Sequence, residues 1–143
     1  MADKAQKKEL KAIKKFNAAR YREYNKTMKR KKVPESIYLT TMKNPDNIIE
    51  FDDLKTYFYT DVGTVKAVDG VTFDIPKGKT IGVVGESGCG KSVTSLSVMR
   101  LLQGPQGQIA GGQIRFNQQS TGRVLDLTKA GIKEMEKIRG NEI

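Results

Sequence analysis

The chain has 143 residues, of which 26 are Lys or Arg, 16 are Asp or Glu, one is Cys and none is His. This length suits one modest domain, and the cysteine count excludes an intrachain disulfide and a zinc site and fits a reducing cytosol. No apolar run is long enough to cross a bilayer, and the N-terminus lacks the apolar segment of a secretory signal.

The net charge of +10 divides the chain into two parts. Residues 1–45 carry fourteen Lys/Arg and four Asp/Glu, whereas residues 46–143 carry twelve of each. The sequence therefore predicts a basic extension over residues 1–45 and a neutral domain over residues 46–143.

The extension has the composition of a helix. No Gly or Pro occurs between Lys4 and Lys32, and Ala, Lys, Glu and Gln favour helical backbone. Val33-Pro34 predicts the end of the helix, because proline disfavours helical geometry in the residue before it. The apolar residues expected on one side are Leu10, Ile13, Tyr21, Tyr24 and Met28.

Three interpretations of this extension stay open. We favour a solvated, partly disordered tail that packs weakly or not at all. An amphipathic segment over residues 1–33 could instead bind an anionic membrane surface or an acidic partner. A nucleic-acid arm is the least favoured of the three.

The middle of the chain is rich in strand-forming residues. Residues 47–59 contain two strand-like runs, and after a turn at Asp61-Val62-Gly63 two more follow at residues 65–68 and 71–75. Asp69-Gly70 between them predicts a turn or a bulge. A turn at residues 76–79 leads into Thr80–Val84, whose β-branched residues predict a buried strand of a parallel sheet.

The next segment fits the phosphate-binding pattern G-x-x-x-x-G-K-[ST]. Its glycines let the backbone wrap an anion, and its N–H groups with the following helix start attract phosphate. Lys91 is placed to reach the β- and γ-phosphates, and the Ser92 hydroxyl to ligate Mg²⁺. We therefore predict a nucleoside triphosphate with Mg²⁺ as the ligand of Gly85, Glu86, Ser87, Gly88, Cys89, Gly90, Lys91 and Ser92.

The remaining elements complete an α/β pattern. Apolar spacing predicts a helix from Lys91 to Leu102, ended by Gly104-Pro105. Residues 113–117 and 123–127 are strand-like, and residues 130–139 form a short helical pattern before Gly140. The predicted fold class is α/β, the N-terminal part of a P-loop NTPase domain with an antiparallel β subdomain, preceded by the basic helical extension.

The aromatic cluster Tyr57-Phe58-Tyr59 has two interpretations. An aromatic ring can stack on a nucleotide base, but alternate rings of a strand also commonly pack in a core. The residues alone favour ordinary strand packing.

Residues Ala67–Ile75, Lys77-Gly78 and Gly85–Ser92 together resemble the start of an ABC-transporter ATPase domain, and the likeness covers Ile48 to Ile143. Within that family, residues 85–102, 111–117 and 137–143 are similar to the oligopeptide and dipeptide importer branch. Importers of other solutes such as nickel or glutathione share these stretches. The basic extension has no counterpart in the family pattern.

The resemblance implies that the nucleotide is ATP, bound with Mg²⁺, and that Val93 joins the phosphate-binding residues. It implies that an aromatic four positions after Leu54 stacks on adenine, which selects Phe58, with Tyr57 and Tyr59 as alternatives because a one-residue slip reverses strand facing. Val93 stands where many members have threonine, so a hydroxyl is lost while the backbone N–H that meets the α-phosphate remains. Cys89 is a small residue that the loop tolerates.

The resemblance also implies a larger assembly. Two ATPase subunits face each other and act on transmembrane permease subunits at the cytoplasmic face of the membrane, and an extracellular solute-binding protein delivers peptides. The glutamine loop, signature motif, catalytic glutamate and switch histidine would follow Ile143. We therefore expect this chain to be an N-terminal fragment without hydrolysis of its own. A nucleotide-binding fragment with a basic lipid- or nucleic-acid-binding arm is the alternative.

Overall fold

The structure is a computed structural model and describes residues 3–30 and 32–143. Its elements in chain order are α1 (Lys4–Met28), α2 (Glu35–Tyr38), β1 (Asn47–Thr60), β2 (Gly63–Pro76), α3 (Lys91–Met99), β3 (Gly107–Asn117), β4 (Val124–Asp126) and α4 (Ile132–Ile138). In the described ranges, no helix combines the length and the apolar character needed to cross a bilayer.

The strands form one antiparallel sheet in the order β2-β1-β3-β4. The strand-like runs predicted over residues 47–59 are one long strand, β1, which pairs with β2 on one side and β3 on the other. The turn predicted at Asp61-Val62-Gly63 joins β1 to β2. The antiparallel β part of the predicted fold class is therefore confirmed.

A line of bulges bends the sheet near its middle. Leu54 pairs with Val71 and Lys55 with Asp69, which leaves Gly70 without a partner, so the turn or bulge predicted there is a bulge. On the other side of β1, Gly112 has a φ of +81° and lies directly against the backbone of Asp53. A side chain at Gly112 would collide with that backbone, so the bend requires glycine there.

The hydrophobic core lies between the sheet and helices α3 and α4. Leu54 of β1, Ile114 of β3 and Met135 of α4 have no exposed surface. Phe51 and Phe73 stack across the β1–β2 pair with ring centroids 4.2 Å apart. The other core residues are Tyr38, Val68, Val98, Phe116, Leu125, Leu127, Ala130 and Ile138.

The helix predicted in the basic extension is present over Lys4–Met28, and it contacts the domain through a few residues. Asn17 of α1 is buried and its side-chain amide donates to the Thr60 carbonyl at 2.8 Å. The Tyr21 hydroxyl donates to the Tyr59 carbonyl. These bonds hold α1 against the end of β1.

The docked side of α1 differs in part from the predicted apolar side. Ile13, Tyr21, Tyr24 and Met28 are partly buried as expected, whereas Leu10 is 40% exposed. The helix ends at Met28, four residues before the predicted Lys32. The predictions for residues 1–33 and for a helix to Lys32 also covered Met1, Ala2 and Lys31, which lie outside the described residues.

The strand predicted at Thr80–Val84 is wrong. This segment is irregular, and Val83 and Val84 are 55% and 90% exposed. A strand needs a neighbour to complete its hydrogen bonds, and no strand of the described part of the chain pairs with this segment.

Two predicted helix boundaries are also corrected. Helix α3 ends at Met99 rather than Leu102, because Arg100 adopts left-handed backbone with a φ of +50°. Helix α4 spans Ile132–Ile138, slightly shorter than the predicted 130–139.

Candidate functional site

The predicted phosphate-binding loop is a solvent-exposed turn that leads directly into α3. Residues 85–89 are exposed, and the helix begins at Lys91 with Gly90 as its N-cap residue. The first N–H groups of a helix have no carbonyl partner within it, and the helix dipole adds partial positive charge at that end. The backbone N–H groups at the start of α3 can therefore donate hydrogen bonds to an anion that approaches from the solvent.

The side chain of Lys91 bends back across the loop. Its ammonium donates to the carbonyls of Gly85 at 2.7 Å and Glu86 at 2.5 Å, and it lies 3.4 Å from the Cys89 sulfur. An arriving phosphate can replace these neutral acceptors, since hydrogen bonds from an ammonium to a charged oxygen are the stronger ones. The Lys91 ammonium is thus surrounded by the backbone of the loop.

Gly90 allows this loop to rest on the sheet. Its φ is +93°, and a Cβ at this position would lie 2.5 Å from the Ala67 carbonyl oxygen of β2. Only glycine adopts this backbone without strain and leaves room for that close approach. The loop is therefore seated on β2 through a residue that cannot carry a side chain.

A buried polar contact holds α3 in place. The Ser97 hydroxyl lies 2.8 Å from the Thr56 hydroxyl of β1 and 2.7 Å from the Val93 carbonyl. Both hydroxyl-bearing residues are fully buried, so this contact fixes the helix position on the sheet. Val93 packs its side chain against the core, as an apolar residue in this position allows.

Ser92 is the loop residue predicted to ligate a metal ion. Ser92 is exposed in the first turn of α3, beside Lys91. Among residues 3–30 and 32–143, no three His, Cys, Asp or Glu side chains are close enough to hold a metal by themselves. Phosphate oxygens and water would have to supply the other ligands, which is how Mg²⁺ is usually held.

The three aromatic residues at the end of β1 have different surroundings. Phe58 is half-buried beside Gly107 of β3, on the face that Leu54 and Thr56 share by strand alternation. Tyr59 is 3% exposed, because Phe16 packs on its ring edge-to-face at 5.9 Å and the Arg20 guanidinium lies 4.6 Å from its centroid.

Tyr57 lies on the opposite face of β1 from Phe58 by strand alternation and contacts Asp69 and Lys66. Its hydroxyl donates to the Asp69 carboxylate, and the Lys66 ammonium lies 5.4 Å from its ring centroid. This hydrogen bond raises the pKa of the Tyr57 phenol and lowers the pKa of the Asp69 carboxyl. Of the three rings, Phe58 alone shares the sheet face on which α3 packs.

The residues that dock α1 on this end of the sheet are not among those predicted from the sequence. Asn17 and Arg20 are polar, so an apolar periodicity does not select them. The signal available was position: both follow Ile13 on the same helical side and precede Tyr21 and Tyr24.

Comparison with known proteins agrees with this geometry. The family model described as ABC transporter matches residues 68–140, just over half of the chain and including the whole phosphate loop. The resemblance stated from the sequence is thereby confirmed.

Similar proteins carry names from peptide transport. The chain is 46% identical over 96 residues to the oligopeptide transport ATP-binding protein AppD of Bacillus subtilis, and the aligned region covers 67% of this chain and 27% of that protein. It is 44% identical over 98 residues to the dipeptide transport ATP-binding protein DppD of Bacillus subtilis, covering 68% and 28%. The oligopeptide transport ATP-binding protein OppF of the same organism is 42% identical over 85 residues, covering 59% and 28%. The chain thus spans about a quarter of the length of these relatives.

Proposed function

Because the chain belongs to the ABC transporter family, we propose that it is the ATP-binding part of an importer for oligopeptides or dipeptides. The observation that carries the proposal is the loop Gly85–Ser92 at the start of α3, with the Lys91 ammonium held inside it. The peptide class comes from the names of the relatives, all of which extend well beyond the part that this chain matches.

In this proposal the loop binds the triphosphate by exchange of partners. Lys91 gives up the carbonyls of Gly85 and Glu86 for phosphate oxygens, and the N–H groups at the start of α3 bind the same anion. The Ser92 hydroxyl would hold Mg²⁺, which would supply positive charge to offset that of the phosphates. Because the loop is exposed, the nucleotide enters without any helix having to move.

We assign adenine stacking to Phe58. Its ring lies on the same sheet face as α3, whereas Tyr59 is covered by α1 and Tyr57 is engaged with Asp69. Tyr57 and Tyr59 remain the alternatives that the experiment must separate.

In the complete protein, this nucleotide site would work within the transporter. A second ATPase subunit and transmembrane permease subunits would be its partners, and an extracellular solute-binding protein would deliver peptides. The protein would then be peripheral, on the cytoplasmic face of the membrane. Binding and hydrolysis of ATP would drive uptake.

The nucleotide site can be tested by equilibrium binding of ATP to the purified chain. Lys91→Ala removes charge-assisted hydrogen bonds of about 1.5–3 kcal/mol each, so we expect affinity to fall by about tenfold or more. Lys79→Ala removes the same charge from an exposed position outside the loop and serves as the control. Equal affinities of the two variants would contradict the assignment of the loop.

The residue that stacks on adenine can be identified by comparing the binding of two ligands, ATP and inorganic tripolyphosphate. Phe58→Ala should weaken ATP binding by about two- to twelvefold, from a stacking contribution of about 0.5–1.5 kcal/mol, and leave inorganic tripolyphosphate binding unchanged. Tyr57→Ala and Tyr59→Ala are the matched variants. If either of them gave the selective loss instead, the platform would be that residue and the assignment of Phe58 would be wrong.

The transported solute is tested in cells with the full-length protein. Deletion of the gene should abolish uptake of labelled dipeptides or oligopeptides, and the wild-type gene should restore it whereas a Lys91→Ala gene should not. Loss of nickel or glutathione uptake with normal peptide uptake would overturn the peptide assignment.

A further inference from the structure

The positive charge of α1 is concentrated on one side of the helix. With about 100° of rotation per residue, eight of its nine Lys and Arg residues fall within a sector about 120° wide. All eight are exposed, and the two acidic residues of α1, Glu9 and Glu23, lie outside this sector. We call this set the basic stripe: Lys4, Lys7, Lys8, Lys11, Lys14, Lys15, Arg22 and Lys26.

The ninth cation shows why the stripe faces outward. Arg20 lies over the Tyr59 ring on the docked side of α1, beside Asn17 and Tyr21. Docking of that side on the sheet fixes the rotation of the helix about its axis. The basic stripe is therefore held away from the sheet, which a free tail would not do.

The cations of the stripe have no acidic partner among residues 3–30 and 32–143. In the part of the chain that the structure describes, no salt bridge involves a residue of α1. Eight like charges along a helix of 25 residues, about 37 Å long, repel one another unless counter-charges approach from outside. The stripe therefore favours an extended anionic partner.

We propose that the basic stripe of α1 binds the anionic phospholipid surface of a membrane. A straight helix can bring its whole stripe against a planar anionic surface at once, so every charge contributes. A nucleic-acid duplex is a cylinder, which a straight rod meets over a shorter length. Seven of the eight cations are lysines, point charges without the fork of arginine that suits bidentate base and phosphate recognition.

The binding is electrostatic and does not insert the helix into the lipid. Tyr21, Tyr24 and Met28 of α1 are partly buried against the domain, so they are not available to enter the bilayer. The exposed Leu10 and Phe16 lie outside the sector of the basic stripe, on opposite flanks, so the side that faces the lipid has no large apolar residue. This distinguishes the stripe from an amphipathic helix that buries an apolar face in the membrane. Binding should therefore disappear as salt shortens the range of charge interactions.

The test is co-sedimentation of the full chain with vesicles. We expect binding to vesicles of phosphatidylcholine mixed with phosphatidylglycerol, no binding to phosphatidylcholine alone, and release in high salt. Replacing Lys8, Lys11 and Lys15 by Gln should weaken binding by about tenfold or more, since each cation near an anionic surface contributes measurably. Glutamine keeps helix propensity, and circular dichroism checks that α1 remains folded.

The matched control replaces Lys77, Lys79 and Lys133 by Gln. These residues are exposed and lie outside α1, and their replacement removes the same total charge. Binding to the anionic vesicles should therefore change little. Equal weakening by both triple variants would mean that net charge alone acts, and the proposal would be wrong. Equal binding to neutral vesicles, or tighter binding to duplex DNA than to the anionic vesicles at the same salt concentration, would also overturn it.

Discussion

Replacement of Gly90 by Ala tests how the phosphate loop is seated on the sheet. The new methyl group would lie 2.5 Å from the Ala67 carbonyl oxygen and 3.4 Å from a methyl of Val68. The first contact is with backbone of a paired strand, which cannot move aside as a flexible side chain would. The loop must therefore lift from β2, or β2 must shift, when alanine is present.

Two other glycines, one in the loop and one in the segment before it, separate the backbone cost from the steric cost. Gly88 has a φ of +81° but open space around its Cβ position, so Gly88→Ala should cost only the left-handed backbone penalty of about 1–2 kcal/mol. Gly82 has neither a left-handed φ nor a neighbour within 4 Å, so Gly82→Ala should be close to neutral. Gly90→Ala adds a steric cost of about 1–3 kcal/mol to the backbone penalty, about 2–5 kcal/mol in total.

Urea unfolding of the three variants measures these differences as changes in the free energy of unfolding. The expected order of destabilisation is Gly90→Ala, then Gly88→Ala, then Gly82→Ala. The reasoning would be refuted if Gly90→Ala were no more destabilising than Gly88→Ala, because the contact with Ala67 would then contribute nothing. ATP affinity should also fall most for Gly90→Ala, since displacement of the loop from β2 would move the phosphate-binding residues at the start of α3.

Three further predictions concern the core, the acid limit and the docked helix. Leu54→Ala should destabilise the fold by about 2–5 kcal/mol in urea unfolding, whereas Val62→Ala, which changes a side chain 83% exposed, should stay within about 0.5 kcal/mol. Burial raises the pKa of the Glu50 carboxyl, but hydrogen bonds from two backbone N–H groups and a side-chain amide outweigh this and leave that pKa below its ordinary value. Its stabilisation should be present at neutral pH and lost as the pH falls through the lowered pKa, so the stability gap between wild type and Glu50→Gln should shrink in acid. The exposed Glu136→Gln should show no such gap, and a pH-independent gap for Glu50→Gln would contradict the ionic origin. Tyr21→Phe removes one hydrogen bond of about 0.5–1.5 kcal/mol that holds α1, so amide exchange within α1 should accelerate selectively, and uniform acceleration across the chain would contradict the docking.

Much of the fold followed from local patterns. The hairpin turn at residues 61–63 and the bulge at Gly70 were predictable because glycine marks backbone that other residues avoid. The start of α3 at Lys91 was predictable because the phosphate-loop pattern includes its own helix start. Such features depend on a few adjacent residues and need no distant partner.

Other features depend on distant neighbours. Thr80–Val84 has a strand composition, but a strand forms only where another strand completes its hydrogen bonds. The docking of α1 uses Asn17 and Arg20, whose polar side chains act through a carbonyl and a ring about forty residues away in the chain. Apolar periodicity cannot register such contacts.

The sequence by itself indicated a phosphate-binding loop, because Gly85–Ser92 is one contiguous segment whose residue types each have a local reason. The segments around this loop indicated the family, which the family model over residues 68–140 confirms. The tertiary structure alone decided which aromatic ring shares a face with α3, and which side of α1 stays free. Both depend on β1 lying between β2 and β3 with α1 packed on its end, and so on contacts between segments far apart in the chain.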